Sequence, residues 1–156
     1  MCTNLYFFRH GIAEDDYEKP DFYRTLTSEG KEAVMLQAIA LHQAGIRPDR
    51  LFSSPYVRAR ETAEILGRYW EMPVEIWDGL GCGAMLDDVV ELIDVHEHPA
   101  SVMVVGHQPD FSDMIYTLTG KDVTVQKGSM IHVYVKRFGL LGATIEQIKE
   151  PVEVFV

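Results

Sequence analysis

The chain has 156 residues, of which 47% are hydrophobic and 24% charged, a composition typical of one globular domain with its own core. Its formal net charge of -10 at pH 7 disfavours nucleic-acid binding, because that function needs clustered lysine and arginine. Cys2 and Cys82 give no disulfide framework, and no apolar run approaches the roughly 18 residues of a membrane span. We therefore expect one cytoplasmic domain over residues 1–156, with neither a nucleic-acid nor a membrane partner.

The chain begins with a predicted strand, a loop and a helix. Residues 5–8 are apolar without alternation, which is typical of a strand buried on both faces. Residues 9–24 are polar and have no period, so we expect a loop. The following helix is predicted from Thr27 as its N-cap and Glu29 in its first turn, and Gly45 is expected just beyond its C-terminus.

The middle of the chain continues the alternation of strands and helices. Residues 49–54 form a second predicted strand. Pro55 favours the first turn of a helix that is expected to end near Trp70. Residues 74–77 are expected to form a short third strand, and residues 88–96 a helix.

The last third of the chain predicts a strand, a helix and two further strands. Residues 102–105 are continuously apolar, and Pro109 begins a predicted helix that ends near residue 118. Residues 129–135 and 143–149 alternate more and are typical of an antiparallel edge. The pattern as a whole predicts an α/β fold, a three-layer α/β/α sandwich around a mainly parallel sheet.

Basic side chains follow three of the predicted strands. Arg9 and His10 come directly after the first strand, Arg58 lies at the start of the helix after the second, and His107 follows residues 102–105. Ligands of open α/β sheets bind at the carboxyl ends of the strands, where helix N-termini also favour anions. The guanidinium fork of arginine suits phosphoryl oxygens. The sequence therefore predicts a phosphate pocket at this edge.

Three sequence blocks carry a family resemblance. The stretches "FFRHG", "SSPYVRARETA" and "VVGHQPD" resemble, in this order, the signature blocks of the histidine phosphatase superfamily, which has the phosphoglycerate-mutase-like fold. The stretch "RTLTSEG" is similar to an Arg-Pro-Leu-Thr-x-x-Gly block of short members, with Thr25 where proline is usual. Together with the short length, it looks most like the phosphohistidine phosphatase branch, whose members act on phosphohistidine of phosphocarrier domains.

The resemblance implies a role for each matched residue. His10 corresponds to the nucleophile, which attacks phosphorus and becomes phosphohistidine. Arg9, Arg58 and a protonated His107 correspond to the groups that bind the phosphoryl oxygens. Arg24 is a further candidate for phosphate binding. With a neutral His10 and a charged His107, activity is expected to fall on both sides of neutral pH.

No metal or cofactor is expected, because the cationic side chains bind the phosphoryl group. The neighbouring His96 and His98 lack the spacing of a metal-binding pair on a helix. Many members of the superfamily use a glutamate as general acid, and the best-placed candidate in this chain is Asp78. A leaving imidazole can take its proton from water, so phosphohistidine needs no dedicated acid, whereas an alkyl phosphate does.

Three functions are compatible with the sequence. The first is a phosphatase acting on phosphohistidine of a phosphocarrier protein, which the short segment between Arg58 and His107 favours because it leaves little chain to roof the pocket. The second is a phosphomonoesterase acting on small molecules or phosphoproteins, which a carboxylate near the leaving oxygen would favour. The third is a phosphate-binding module without turnover, which the intact Arg9-His10-Gly11 run disfavours.

Overall fold

The computed structural model describes residues 2–154, and in that range six strands form one sheet in the order β3-β2-β4-β1-β5-β6. The strands are β1 (Thr3–Arg9), β2 (Arg50–Ser53), β3 (Val74–Ile76), β4 (Ser101–Gly106), β5 (Met130–Val135) and β6 (Ala143–Lys149). The α-helices are α1 (Ser28–Gln43), α2 (Val57–Trp70), α3 (Leu86–Val95) and α4 (Asp110–Thr119). None of the helices in this range is long and apolar enough to cross a bilayer.

The directions of the strands confirm the predicted fold class. β1 and β2 both pair in parallel with β4, and β3 pairs in parallel with β2. β5 runs antiparallel to β1, and β6 runs antiparallel to β5. The sheet is therefore mainly parallel, and two antiparallel strands form one of its edges, as the more alternating pattern near the C-terminus predicts.

A hydrophobic core lies on each face of the sheet. Leu5 and Phe7 of β1 pack on one face with residues of α3 and α4. Tyr6 and Phe8 pack on the opposite face with residues of α1 and α2. Successive side chains of a strand point to opposite faces, so a strand between two helical layers must be apolar throughout. This accounts for the unbroken apolar run before Arg9.

Strand β1 is longer than predicted because neighbours pair with it on both sides. Asn4 is aligned with Ser101 of β4, and Arg9 at the other end is aligned with Gly106. Pairing of this kind leaves no signature in the local sequence, so the prediction covered only the apolar residues. The polar loop that follows contains a one-turn 3₁₀ helix, Asp21–Tyr23, which its aperiodic sequence did not indicate.

Helix α2 begins two residues later than Pro55 alone suggests. Tyr56 is its N-cap and Val57 its first residue, so Pro55 precedes the first turn. The hydroxyl of Ser54 accepts a hydrogen bond from the backbone N–H of Tyr56 at 3.1 Å, and this turn delays the start of the helix. Arg58 consequently lies in the first turn of α2, as predicted.

The signals at the ends of α1 are confirmed, whereas α3 starts earlier than predicted. The Thr27 side chain accepts a hydrogen bond from the N–H of Gly30 at 2.9 Å, and Gly45 has a φ of 75°. Helix α3 begins at Leu86 because the carboxylate of Asp88 reaches back and accepts a hydrogen bond from the N–H of Met85 at 2.8 Å.

Close packing of α1 fixes the loop that follows β1. A Cβ atom at Gly30 would overlap the carbonyl oxygen of Ile12, and one at Gly11 would lie 2.8 Å from Cγ2 of Val34. The two glycines therefore let the N-terminal half of α1 lie directly against residues 10–12. This contact holds the residue after β1 in place.

We expect Gly30→Ala to lower the free energy of unfolding by more than about 2 kcal/mol, because the added methyl group meets backbone that cannot move without shifting α1. Urea denaturation measures the change. Glu32→Ala is the control, since Glu32 is exposed on the same helix and its loss should change stability by no more than about 0.5 kcal/mol. Equal stability of the two variants would contradict this packing.

Candidate active site

Four basic side chains from three strand ends meet at one edge of the sheet. Arg58 Nε lies 3.3 Å from His10 Nε2, and the rings of His10 and His107 have centroids 5.3 Å apart. His10, Arg58 and His107 are only 6%, 5% and 2% exposed. Arg9 is half-buried, and burial lowers its pKa. The nearby charge of Arg58 lowers the pKa of Arg9 further. The structure thus brings together four of the six candidate site residues that were named from the sequence.

Thr62 fastens the loop of His10 to helix α2. Its hydroxyl donates to the carbonyl oxygen of Arg58 at 2.8 Å and accepts a hydrogen bond from the N–H of Gly11 at 3.1 Å. The backbone N–H of His10 itself donates to the carbonyl oxygen of Gly106 at 3.1 Å. These bonds set the positions of His10 and Arg58 relative to each other. The sequence analysis assigned no role to Thr62, although it lies within the "SSPYVRARETA" block.

The surroundings of His10 determine which ring nitrogen is free. Nδ1 lies 2.7 Å from the carbonyl oxygen of Gly11, which can only accept, so Nδ1 carries the proton. Burial lowers the pKa of His10 to about 3; the charges of His107, Arg58 and Arg9 act in the same direction, and the bond to Gly11 opposes them. His10 is therefore neutral at pH 7, with an unprotonated Nε2 beside Arg58.

His107 has one partnered and one unpartnered nitrogen. Nε2 lies 2.7 Å from the hydroxyl of Ser54, while Nδ1 is buried and has no hydrogen-bond partner in the protein. Burial and the charges of Arg58 and Arg9 lower the pKa of His107 to about 4, against the opposing charge of Asp21. These effects favour the neutral ring at pH 7. Protonation of His107 beside a bound phosphoryl group stays a prediction. The sequence gives no measure of the loss of water around this ring, which is the largest cause.

Two nitrogens of the cluster lack partners. Among residues 2–154, two buried side-chain atoms that could form a hydrogen bond have no partner in the protein. They are Arg9 Nε and His107 Nδ1. Leaving such a group unpaired costs about 1–3 kcal/mol. A tetrahedral anion offers several acceptor oxygens to donors that point at one centre. The unpaired nitrogens and the adjacent guanidinium groups therefore fit a phosphoryl group.

Asp21 contacts the cluster, although the sequence analysis did not identify it. Arg58 donates through Nη1 to the carbonyl oxygen of Asp21 at 3.0 Å and through Nη2 to its carboxylate at 3.2 Å. Arg24 Nε donates to the other carboxylate oxygen at 2.8 Å. The next residue, Phe22, packs on the ring of Tyr56 with centroids 5.1 Å apart. Asp21 thereby links Arg24 to Arg58 and fixes one side of the Arg58 guanidinium.

Arg24 and Asp78 lie outside the cluster. The side chain of Arg24 bonds to Asp21 and to the carbonyl oxygen of Glu14, and Asp21 links it to Arg58. Asp78 is exposed and lines a surface depression with Ile76, Trp77, Gly79 and Glu91. No hydrogen bond or ion pair found within residues 2–154 joins Asp78 to the cluster. Phosphate binding by Arg24 and acid catalysis by Asp78 stay predictions.

No group of three or more histidine, cysteine, aspartate or glutamate side chains within the described part of the chain is arranged to hold a metal ion. The thiol of Cys82 lies near the cluster, with Sγ 3.7 Å from Arg58 Nη2. Burial raises the pKa of this thiol, with Asp21 and Asp110 acting in the same direction, while Tyr56 and Arg58 oppose the shift. The thiol form is thus favoured at neutral pH.

Residues 5–81 match the family model described as histidine phosphatase superfamily (branch 1). The phosphohistidine phosphatase SixA homolog of Haemophilus influenzae is 30% identical over 129 residues, which cover 76% of this chain and 78% of that protein. The chain belongs to the histidine phosphatase superfamily. Both the predicted superfamily and its phosphohistidine phosphatase branch are confirmed.

Solved structures share the fold of this histidine phosphatase over nearly its whole length. The protein histidine phosphatase SixA, solved with tungstate, superposes with a TM-score of 0.84 at 24% identity and covers 94% of this chain and 96% of that one. The α-ribazole phosphatase of Shigella flexneri gives a TM-score of 0.76 at 17% identity and covers 95% and 96%. The fold is therefore shared by phosphatases named for different substrates.

The low pKa of His10 makes stability depend on pH. The unfolded pKa is about 6.5 and the folded pKa about 3, so between these values the unfolded state binds more protons and stability falls as pH falls. His10→Asn removes this contribution. Between pH 7 and pH 5, wild type should lose about 2 kcal/mol more unfolding free energy than His10→Asn in urea denaturation. His42→Asn, at an exposed position on α1, should follow wild type; equal losses in all three proteins would refute this reasoning.

The contact between Asp21 and Arg58 predicts an effect of the loop on turnover. Asp21→Asn should lower kcat on an aryl phosphate by roughly 10- to 100-fold, because a small misplacement of a transition-state donor has effects of this size. Asp16→Asn is the control: Asp16 lies in the same loop, but its ion pair is with Lys19 at 3.8 Å. Both changes remove one negative charge, so equal kcat values for the two variants would exclude a specific role for Asp21.

Proposed function

We propose that this protein is a metal-independent phosphohistidine phosphatase whose substrate is a histidine phosphocarrier domain. The observation that carries the proposal is the geometry of His10, whose Nδ1 is bonded to the carbonyl oxygen of Gly11 and whose Nε2 lies 3.3 Å from Arg58 Nε. The unpaired nitrogens of Arg9 and His107 belong to the same cluster. This arrangement supports a role for His10 as nucleophile and for its neighbours as donors to phosphoryl oxygens. The similarity to a relative named as a phosphohistidine phosphatase homolog supports the substrate class.

The proposed reaction has two displacements at phosphorus. Nε2 of His10 attacks in line, the bond from phosphorus to the substrate imidazole breaks, and the departing ring takes a proton from water. Water then attacks the phosphorus bound to His10, and the bond from phosphorus to Nε2 breaks. Inorganic phosphate is released and the free ring is restored. Arg9, Arg58 and His107 bind the equatorial oxygens, where charge is spread in both transition states.

The charges around the cluster favour a leaving group that needs no dedicated acid. Asp21 is the carboxylate in contact with Arg58, and burial alone would raise its pKa. The hydrogen bonds and charges of Arg24 and Arg58 outweigh burial and lower the pKa of Asp21 below its usual range. An ionised carboxylate cannot donate a proton at neutral pH. The imidazole that leaves phosphohistidine can take its proton from water, whereas the alkoxide that leaves an alkyl phosphate needs a dedicated acid.

The surroundings of the cluster suit a protein-bound phosphoryl group. Between Arg58 and His107, the chain forms the rest of α2, strands β3 and β4, helix α3 and short connections, and it inserts no further α-helix. Tyr23, 56% exposed, and Met85, 68% exposed, flank segments that contact Arg58. Exposed apolar side chains of this kind favour contact with a protein surface. Cys2 and Cys82 are both free, in keeping with the proposed cytoplasmic location.

A phosphomonoesterase is the second candidate, and Asp110 favours it. Burial raises the pKa of Asp110, with Asp113 acting in the same direction, while hydrogen bonds from the N–H groups of Gly83 and Ala84 oppose the shift. The carboxylate accepts the bond from Gly83 at 2.9 Å, next to Cys82. A carboxyl group of raised pKa is what protonation of an alkoxide requires.

A side-by-side assay of a phosphohistidine protein, a phosphoserine peptide and an aryl phosphate tests the proposal. Wild type should hydrolyse the first and third, with or without a chelator, and leave the phosphoserine peptide nearly untouched. Rapid quenching should trap a base-stable, acid-labile phosphoryl label that His10→Ala lacks. Faster hydrolysis of the phosphoserine peptide, or activity that needs added divalent metal, would overturn the proposal.

The same assay with Asp78→Asn and Asp110→Asn separates the two candidates. On the phosphohistidine protein, each change should cost less than roughly tenfold, because water protonates the imidazole. If the protein is a phosphomonoesterase, one of the two changes should lower turnover of the phosphoserine peptide by about 10²–10⁴. That loss would identify the general acid and the class of substrate together.

A further inference from the structure

The hydroxyl of Ser54 contacts His107 in a fully buried position. Ser54 is 0% exposed, and its Oγ lies 2.7 Å from His107 Nε2. The same oxygen accepts a hydrogen bond from the N–H of Tyr56 at 3.1 Å. A serine hydroxyl has one hydrogen to donate, and the acceptor found for it within residues 2–154 is Nε2 of His107.

Two neutral tautomers of His107 are compatible with the distance of 2.7 Å between its Nε2 and Ser54 Oγ, but they differ in free energy. If Nε2 carried the proton and donated to Ser54, the serine hydrogen would be buried without an acceptor, at about 1–3 kcal/mol. The bare Nδ1 would then offer a lone pair to any phosphoryl oxygen and repel it. If Ser54 donates to Nε2 instead, Nδ1 carries the proton, and the unpartnered nitrogen is a donor.

A doubly protonated ring is the third form, and the neighbouring charges oppose it. Arg58 and Arg9 already place two positive charges beside the buried ring, and their repulsion adds to the loss of water. Asp21 is the negative group that acts on His107, and its carboxylate is shared between Arg24 and Arg58. His10 and Tyr56 are the other titratable groups whose rings face His107. Burial lowers the pKa of His10, and the hydrogen bond with Cys82 raises the pKa of Tyr56, so both are neutral at pH 7.

We propose that Ser54 is a positioning residue that keeps His107 neutral with its proton on Nδ1, so that His107 donates to the phosphoryl group without being a cation. This inference rests on the proposed function only in that a phosphoryl group is the ligand. The positive charge of the site then comes from Arg9 and Arg58 alone. Ser54 thereby has a chemical role beyond its hydrogen bond to Tyr56 in the turn before α2.

Nitrogen NMR of the imidazole rings tests the proposal directly. Long-range proton–nitrogen correlation spectra of ¹⁵N-labelled protein at pH 7, with and without tungstate, distinguish a protonated from an unprotonated ring nitrogen. We expect His107 of wild type to have a protonated Nδ1 and an unprotonated Nε2. In Ser54→Ala, the proton should move wholly or partly to Nε2. A wild-type His107 protonated on Nε2, or on both nitrogens, would overturn the proposal without any variant.

Kinetics on an aryl phosphate provide the matched comparison. Ser54→Ala should lower kcat by roughly tenfold or more with KM changed less than about threefold, the pattern of a lost transition-state interaction. Ser53→Ala is the control, because Ser53 is equally buried but donates to the carbonyl oxygen of Ser54 at 2.9 Å. It should change neither kcat nor the His107 spectrum. In a His107→Ala background, Ser54→Ala should cost nothing further, and independent, multiplying losses would contradict action through His107.

The two proposals fail separately. If wild type hydrolyses the aryl phosphate but not the phosphohistidine protein, the proposed substrate is wrong, and the NMR spectra and the kinetic cycle still decide the role of Ser54. If the phosphohistidine protein is hydrolysed while His107 carries its proton on Nε2, the role of Ser54 is wrong and the proposed function is supported.

Discussion

Repulsion within a dehydrated basic cluster is the constraint on which this site depends. Three of the four basic side chains are almost completely buried, and loss of water opposes a charge on either histidine. Arginine stays charged in such a setting, whereas histidine gives up its proton. In the roles proposed here, the arginines supply charge, His10 supplies a lone pair and His107 supplies a hydrogen bond. A nucleophile must be unprotonated, so the burial that makes the cluster costly also suits the role proposed for His10.

The carbonyl oxygen of Gly11 and the carboxylate of Asp21 offset part of the free energy that burial of the basic cluster costs. The carbonyl oxygen of Gly11 binds Nδ1 of His10 and leaves Nε2 as the unprotonated nitrogen, and Asp21 neutralises part of the charge of Arg58. Asp21 is itself held by the packing of Phe22 on Tyr56, whose ring also contacts His107 with centroids 4.9 Å apart. The loop after β1 is therefore part of the electrostatic design of the cluster, although its sequence shows no periodic pattern.

The sequence was sufficient for the fold class, and for the placement of His10, Arg58 and His107 together, because strand ends can be recognised locally. Apolar runs ended at Arg9 and His107, and helix-start signals placed Arg58 in a first turn. Asp21 and Ser54 could not be found in the same way, since their roles depend on contacts across 37 and 53 residues of chain. Protonation states were also beyond sequence reasoning: charge partners can be read from residue types, but the extent of dehydration requires the packed structure.

Because β1 lies in the middle of the sheet, the position of His10 depends on the packing and pairing of the central strands. This strand pairs on both sides, and the residue that follows it bonds through its backbone N–H to the end of β4. His10, the proposed nucleophile, therefore cannot shift without disturbing the pairing of the innermost strands. We therefore expect variation that preserves the proposed reaction at the periphery: the exposed side chains of Tyr23, Cys82 and Met85 can diverge, whereas Asp21 is bonded to Arg58. A new recognition surface can form there while the sheet edge stays fixed, so we expect substrate choice and catalytic power to depend on separate parts of the molecule.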